Sequence, residues 1–214
     1  MDKLLLFNAH SHSESIEYTS ILQLTFDQKV VNSTTFSVGI HPKDAAIDPE
    51  TKAEFLKNST SQNCLAIGEI GLDTRIELSL ETQEKCYIEQ LQLAHSLNLP
   101  IILHCVNSWD RCRFLHAKHA PQQTLIYHGL SKASIVQQVL AYHPSIISIG
   151  ASILSNKALQ YQLRQIPLSR MLLETDDSTV DLIAIYTKVA ELKSLTLPAL
   201  IETINKNAKR IFKL

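Results

Sequence analysis

The chain alternates short apolar runs with longer stretches of helical periodicity. Short runs of mostly apolar residues, bounded by polar or turn-forming positions, predict strands. The eight predicted strands are Leu4–Asn8, Thr19–Leu24, Phe36–Ile40, Leu65–Glu69, Ile101–His104, Thr124–His128, Ile146–Gly150 and Met171–Thr175. Helical periodicity predicts helices over Leu80–Leu97, Ser108–His119, Lys132–Tyr142, Thr179–Leu192 and Pro198–Phe212.

Strand and helix alternate from the fourth strand onward, and this alternation predicts a parallel sheet. Because the strands are apolar on both faces, the pattern favours a closed (β/α)8 TIM barrel, formed as one domain by residues 1–214. The segments between the first three strands are too short for an ordinary crossover, which takes about a dozen residues or more. We therefore expect the first two helices to be shortened or missing, which leaves a thin wall near residues 10–35.

Composition narrows the class of protein further. With 45% hydrophobic and 19% charged residues, the chain is too apolar for a disordered or low-complexity protein. The formal net charge of −1 provides no global attraction for nucleic acid or an anionic membrane. The apolar runs are too short for a signal-peptide core or a membrane span, so the prediction is a cytoplasmic protein without a membrane partner. The four cysteines form no CxxC pair and are expected to be reduced core residues.

Polar residues occur at the carboxyl ends of several predicted strands, where barrel enzymes build their active sites. His10 and His12 are two residues apart, so both imidazoles point to one side. The full set is His10, His12, Glu69, His104, His128 and Asp176. Taken singly, each has an ordinary interpretation as a turn residue or a hydrogen-bonded core histidine. Taken together, they predict a metal centre around one cavity.

The mixture of imidazole and carboxylate ligands indicates the kind of metal. Such a mixture suits Zn, Mn, Ni or Fe, whereas Mg²⁺ and Ca²⁺ prefer oxygen ligands. Six ligands predict two divalent metal ions, which would activate a bridging water near neutral pH. In this interpretation Glu69 is a catalytic bridging carboxylate and Asp176 is both a ligand and the proton acceptor.

Two further residues are predicted to contact the substrate. His41 follows the third strand and Asp73 follows Glu69, and the ordinary alternative for each is a role in a turn. Cys112, His116 and His119 share one face of a predicted helix, and we expect that face to lie at the surface.

Seven segments resemble the TatD family of metal-dependent hydrolases, within the amidohydrolase-like barrel superfamily. These segments are NAHSH (8–12), VGIHPKDA (38–45), AIGEIGLD (66–73), QLQLAHSLNLPIILH (90–104), YHGLSK (127–132), ISIGAS (147–152) and LLETD (172–176). The resemblance implies a two-metal site at the six ligands and DNase activity, often of the 3′ to 5′ exonuclease type. The chain differs from the family pattern at Asn8, where the family usually has Asp, at Val106, where it has Arg, and at 177–179, where it has Pro and an aromatic residue.

The predicted function is a metal-dependent hydrolase that cleaves phosphodiester bonds in DNA ends or small phosphoesters. The alternative is an amidohydrolase-type enzyme acting on C–N or lactone bonds, because fold alone does not determine chemistry. A non-catalytic metal-binding protein is the third interpretation. Neighbouring loops, the C-terminal helix or the partner subunit of a homodimer are the candidates to cover the thin wall.

Overall fold

The computed structural model describes residues 5–15, 18–25 and 34–214. This part of the chain contains eight strands, which follow one another in a single sheet in chain order. They are β1 Phe7–Ser11, β2 Thr19–Leu24, β3 Phe36–Val38, β4 Cys64–Asp73, β5 Ile101–Val106, β6 Leu125–Tyr127, β7 Ser145–Ile149 and β8 Met171–Leu173. Neighbouring strands pair in parallel, as between β4 and β5 and between β7 and β8. Parallel strands in sequential order are the topology of the predicted (β/α)8 class.

The α-helices are α1 Pro49–Ser59, α2 Leu80–Leu97, α3 Trp109–His119, α4 Val136–Ala141, α5 Lys157–Leu163, α6 Leu182–Lys193 and α7 Leu197–Phe212. Each strand from β3 onward is followed by an α-helix, whereas the alternation predicts helices only from the fourth strand onward. Between β1 and β2, the described residues 12–15 and 18 form no helix. Residues 16–17 and 26–33, on which the rest of the missing-helix prediction falls, lie outside the described residues. Among the helices in the described ranges, none has the length and apolar character that a membrane span requires.

The chain divides into two compact units, and the first comprises Met1–Ile21 with His128–Leu214. In this unit, β1 pairs in parallel with the segment that follows β8, through a bridge between Ser11 and Asp176. Helix α7 packs against both strands, and the rings of Phe7 and Phe212 lie 5.8 Å apart. The hydroxyl of Tyr186 in α6 donates to the Phe7 carbonyl at 2.7 Å. The contacts of Phe7 hold the beginning of β1, and the bridge between Ser11 and Asp176 holds its carboxyl end, where the first two predicted ligands lie.

The second unit comprises Leu22–Tyr127. In it, β4 is the longest strand, and α2 packs against it. The side chain of Gln90 in α2 accepts from the Ile40 N–H at 2.7 Å and donates to the Ile40 carbonyl at 3.0 Å. These two hydrogen bonds fix the backbone just before His41. That residues 1–214 form a single domain stays a prediction.

Two features differ from the sequence-based expectations. Helices α1 and α5 lie outside the predicted helices, although Asp48 and Asn156 cap them in the usual way. The expectation of a surface position was wrong for Cys112 and His116, both of which are buried. The face of α3 that carries them points inward, where the Nε2 atom of His116 lies 3.0 Å from the Gln123 carbonyl oxygen.

Candidate metal centre

The first unit brings together three of the six predicted ligands, His10, His12 and Asp176, which we call the first cluster. The Oδ1 atom of Asp176 lies 3.4 Å from the Nε2 atoms of both histidines. One ligand atom from each residue lies within 4.8 Å of the others. His10 is buried, whereas the side chain of His12 is 40% exposed. The cluster is therefore accessible from the side of His12.

The backbone of β1 determines where Asp176 lies. The Asp176 N–H donates to the His10 carbonyl at 3.0 Å, and the Asp176 carbonyl accepts from the His12 N–H at 3.2 Å. One residue earlier, the amide of Asn8 donates to Thr175 Oγ1 at 2.8 Å and accepts from the Thr175 N–H at 3.0 Å. Asp176 itself has a φ of 57°, a left-handed conformation that is uncommon for residues other than glycine and is concentrated at functional sites.

The pKa of Asp176 also differs from that of an ordinary carboxylate. Burial alone would raise its pKa, but the hydrogen bonds from His10 and His12 outweigh burial and hold the pKa well below its usual range. Asp176 is therefore ionised at neutral pH, as a metal ligand must be.

The second unit brings together His41, Glu69 and His104, which we call the second cluster. The Nδ1 atom of His104 is in short hydrogen-bond contact with Glu69 Oε1. The Nε2 atom of His41 lies 3.9 Å from the same oxygen, and the two imidazole rings are 4.3 Å apart. Here too, one ligand atom from each residue lies within 4.8 Å of the others.

Close packing of β4 against β5 places Glu69 beside His104. Gly71 has a φ of +151°, and a β-carbon at this position would lie 1.9 Å from the His104 carbonyl oxygen. Only glycine allows this approach.

Asp73 lies on the other side of the His104 ring. Its Oδ2 atom is 3.1 Å from His104 Nε2, and Arg75 binds both carboxylate oxygens, with Nε and Nη2 at 3.2 and 3.0 Å. Burial acts to raise the pKa of Asp73, but the hydrogen bonds from Arg75 and His104 lower it to about 2. The two ring nitrogens of His104 therefore face two carboxylates.

The imidazole of His41 is neutral, and its Nε2 atom can donate a hydrogen bond. Its Nδ1 atom accepts from the Lys43 N–H at 3.1 Å. Burial, followed by the nearby His104, lowers the pKa of His41 to about 4, so the ring is neutral at physiological pH. A neutral imidazole has one protonated nitrogen, and with Nδ1 acting as an acceptor the proton resides on Nε2. The Nε2–H group points towards Glu69.

His128 lies in the first unit, where its ring is 4.6 Å from that of His10. Its Nδ1 atom is 3.6 Å from Oε1 of Glu174. Glu174 is not among the predicted site residues, although a charged residue inside the predicted strand Met171–Thr175 is a signal that identifies it. Arg75, which is also absent from the predicted set, carries no comparable signal in the sequence.

The donor atoms of both clusters fit the predicted metals. Imidazole nitrogen together with carboxylate oxygen is the ligand set of Zn, Mn, Ni and Fe sites, not of Mg²⁺ or Ca²⁺ sites. In the first unit the structure brings His10, His12 and Asp176 together, and in the second unit it brings Glu69 and His104 together. That all six ligands surround one cavity stays a prediction.

Comparison with known proteins gives the family. A family model described as TatD related DNase matches residues 11–213. The chain is 28% identical over 198 residues to the uncharacterized metal-dependent hydrolase YabD of Bacillus subtilis (strain 168), a match covering 83% of this chain and 77% of YabD. It is 25% identical over 224 aligned residues to deoxyribonuclease TATDN3 of Homo sapiens, covering 92% and 80% of the two chains. The crystal structure of the TatD homologue YjjV from Escherichia coli K12 matches with a TM-score of 0.77 at 19% identity, covering 98% of both chains.

The chain therefore belongs to the TatD family, and its fold is the (β/α)8 barrel that the sequence predicts. It is an enzyme of the metal-dependent hydrolase class.

Proposed function

We propose that this enzyme hydrolyses phosphodiester bonds, in nucleic acid ends or in small phosphoesters, with two bound divalent metal ions. The observation that carries the proposal is that each unit holds a cluster of imidazole and carboxylate side chains whose ligand atoms lie within 4.8 Å of one another. The name of the relative TATDN3, a deoxyribonuclease, supports nucleic acid as the substrate class.

We assign one ion to the first cluster, where His128 lies beside His10, and the second ion to Glu69 and His104. Bound divalent ions lower the pKa of a coordinated water and neutralise the charge that develops on a phosphoryl group. Asp176, which the β1 backbone holds in place, accepts the proton of the attacking water. The role of Glu69 as a bridging carboxylate stays a prediction.

In this proposal, both predicted substrate contacts help to bind an anionic substrate. His41 acts as a hydrogen-bond donor, and Asp73 acts by holding Arg75. The Nε2–H of His41 donates to an anionic oxygen of the substrate. Asp73 acts through Arg75, whose side chain is 67% exposed and is held by the carboxylate as a planar fork. An arginine held in this way suits phosphate recognition.

A panel of substrates tests the proposal. Metal-stripped protein is reloaded with Mn²⁺ or Zn²⁺ and assayed on labelled single-stranded DNA, bis(4-nitrophenyl) phosphate, a lactone and an amide. We expect cleavage of one or both phosphodiesters and little turnover of the lactone and amide. Turnover of only the lactone or amide would establish the amidohydrolase alternative. Metal binding without any turnover would indicate a non-catalytic protein.

A cytoplasmic location and a homodimer stay predictions of the sequence. Size-exclusion chromatography with light scattering measures the oligomeric state, and a monomer would rule out the homodimer.

A further inference from the structure

Glu174 is a buried carboxylate that the proposed reaction does not use. It follows β8 directly, two residues before Asp176, and its exposed fraction is 0%. Among the described residues, no group donates a hydrogen bond to its Oε2 atom. Burying a carboxylate with an unsatisfied oxygen is costly, and replacing such a group by a neutral one often leaves stability unchanged or improved. Stability of the fold therefore does not explain why a glutamate is present here.

The contacts of the other oxygen, Oε1, point to the neighbouring histidine. Oε1 accepts from the Gly129 N–H at 2.5 Å and lies 3.6 Å from His128 Nδ1. Gly129 has a φ of +59°, a left-handed turn that glycine adopts without strain. This turn directs the N–H of Gly129 and the ring of His128 towards one carboxylate oxygen.

The position of Glu174 selects one tautomer of His128. A carboxylate only accepts hydrogen bonds, so an imidazole nitrogen facing it is favoured in its protonated form. With the proton on Nδ1, the lone pair of Nε2 is available to a cation. Histidine ligands in metal sites commonly donate their second nitrogen to a carboxylate in this way.

We propose that Glu174 is a positioning residue that holds His128 with Nδ1 protonated and Nε2 available to a divalent metal ion. This inference rests on the proposed function, in which His128 is a metal ligand. The alternative is a purely structural role, in which Glu174 only stabilises the backbone turn at Gly129.

Glu174→Gln separates these two roles. Glutamine retains a carbonyl oxygen that can accept from the Gly129 N–H, but it is a weaker and neutral acceptor for the Nδ1–H of His128. We expect the Kd for Zn²⁺, measured in competition with a chromogenic chelator, to rise by about 10-fold to 100-fold. We expect the melting temperature of the metal-free protein to be unchanged or higher. Glu174→Asp, which retains the charge on a shorter side chain, should bind Zn²⁺ with intermediate affinity.

The matched control is Glu191→Gln, which makes the same chemical change at an exposed residue of the first unit that pairs with Lys188. We expect it to bind Zn²⁺ like the wild type. Nitrogen NMR of isotope-labelled histidine provides a second readout on the wild-type chain, in which His128 should be the Nδ1–H tautomer before metal is added. This readout decides the matter even if a substitution at Glu174 prevents folding.

Two results would overturn the inference. One is a wild-type His128 with its proton on Nε2, and the other is wild-type Zn²⁺ affinity in a folded Glu174→Gln protein. Failure of the proposed function looks different, because the wild-type protein would then bind no Zn²⁺, or would bind Zn²⁺ without hydrolysing any phosphodiester.

Discussion

The two clusters use similar side chains but are held by different forces. In the first cluster, main-chain hydrogen bonds between β1 and Asp176, with the Asn8 amide, fix the ligands. In the second cluster, contacts between side chains connect Glu69 to His104 and, through Asp73, to Arg75. The first cluster therefore depends on backbone pairing and the second depends on contacts between polar side chains.

The clusters also differ in exposure. The Asp176 side chain is 32% exposed, whereas those of Glu69 and Asp73 are 9% and 5% exposed. Buried carboxylates need partners to offset the loss of hydration, and His104 and Arg75 are such partners. Equivalent substitutions in the two clusters should therefore have different structural consequences, although both remove a ligand.

Loss of a carboxylate ligand from either cluster should reduce turnover more than any other change considered below. Asp176→Asn removes the proton acceptor and Glu69→Gln removes the carboxylate of the second cluster, so we expect each to reduce kcat by at least about 100-fold on a phosphodiester. Glu84→Gln, which only removes an exposed ion pair with Arg111, is the control and should retain wild-type turnover. Wild-type turnover in either ligand variant would refute the role of that residue.

Gly71→Ala should disrupt the second cluster through the backbone. The new methyl group would collide with the His104 carbonyl and would occupy a φ that alanine rarely adopts. We expect the free energy of unfolding to fall by about 3 kcal/mol or more, from overpacking and backbone strain together. Gly150→Ala is the matched control, because its neighbours lie 3.7 Å or further away and its φ is −103°. Denaturant unfolding measures both variants, and equal stabilities would contradict the close-packing explanation.

Asn8→Ala should weaken the first cluster specifically. The substitution leaves the Thr175 N–H and hydroxyl without their Asn8 partners in a buried place, so we expect a loss of about 2 kcal/mol in the free energy of unfolding. Asn8→Asp retains an acceptor for the Thr175 N–H and should lose less. If neither variant changes stability, the amide does not hold the segment before Asp176.

The smallest effect concerns acid stability in the second unit. Burial lowers the pKa of His116 from 6.5 to about 4, although its bond to the Gln123 carbonyl opposes this shift. Between these pH values the unfolded chain binds more protons than the folded chain, so stability falls as pH decreases from 6.5 towards 4. At pH 5.5 the free energy of unfolding is lower than at neutral pH by about 1 kcal/mol from this histidine. In metal-free protein, His116→Gln should make the free energy of unfolding depend less on pH between 6.5 and 4. An unchanged dependence would contradict a neutral, buried His116 in the folded protein.

Much of the fold is predictable because apolar runs mark the buried strands. The bounds of β2 and α2 match the prediction, but β4 continues to Asp73 beyond the predicted end at Glu69. Glycines are a signal for a strand end, and here tertiary pairing with β5 overrides it. Helix α1 was not predicted, although Asp48 and Pro49 form a typical helix start.

The candidate site is predictable in its residue types and less so in its contacts. Strand-end positions identify His10, His12 and Asp176 because the active sites of parallel barrels form at the carboxyl ends of the strands. The contacts of Asp73 with Arg75 and of Glu174 with His128 depend on rotamers and loop turns, which spacing in the sequence does not encode. For the same reason, the Nδ1 acceptor role of His41 emerges only when the Lys43 N–H is placed.

The most direct test of the account is a titration of metal-stripped enzyme with Zn²⁺, followed by the rate of bis(4-nitrophenyl) phosphate hydrolysis. If each cluster holds one ion, we expect no hydrolysis without metal. We also expect the rate to reach its plateau near two equivalents of Zn²⁺ per chain. Full activity in metal-free protein, or no hydrolysis at any Zn²⁺ loading, would contradict the assignment of a phosphodiesterase's metal ions to the two clusters.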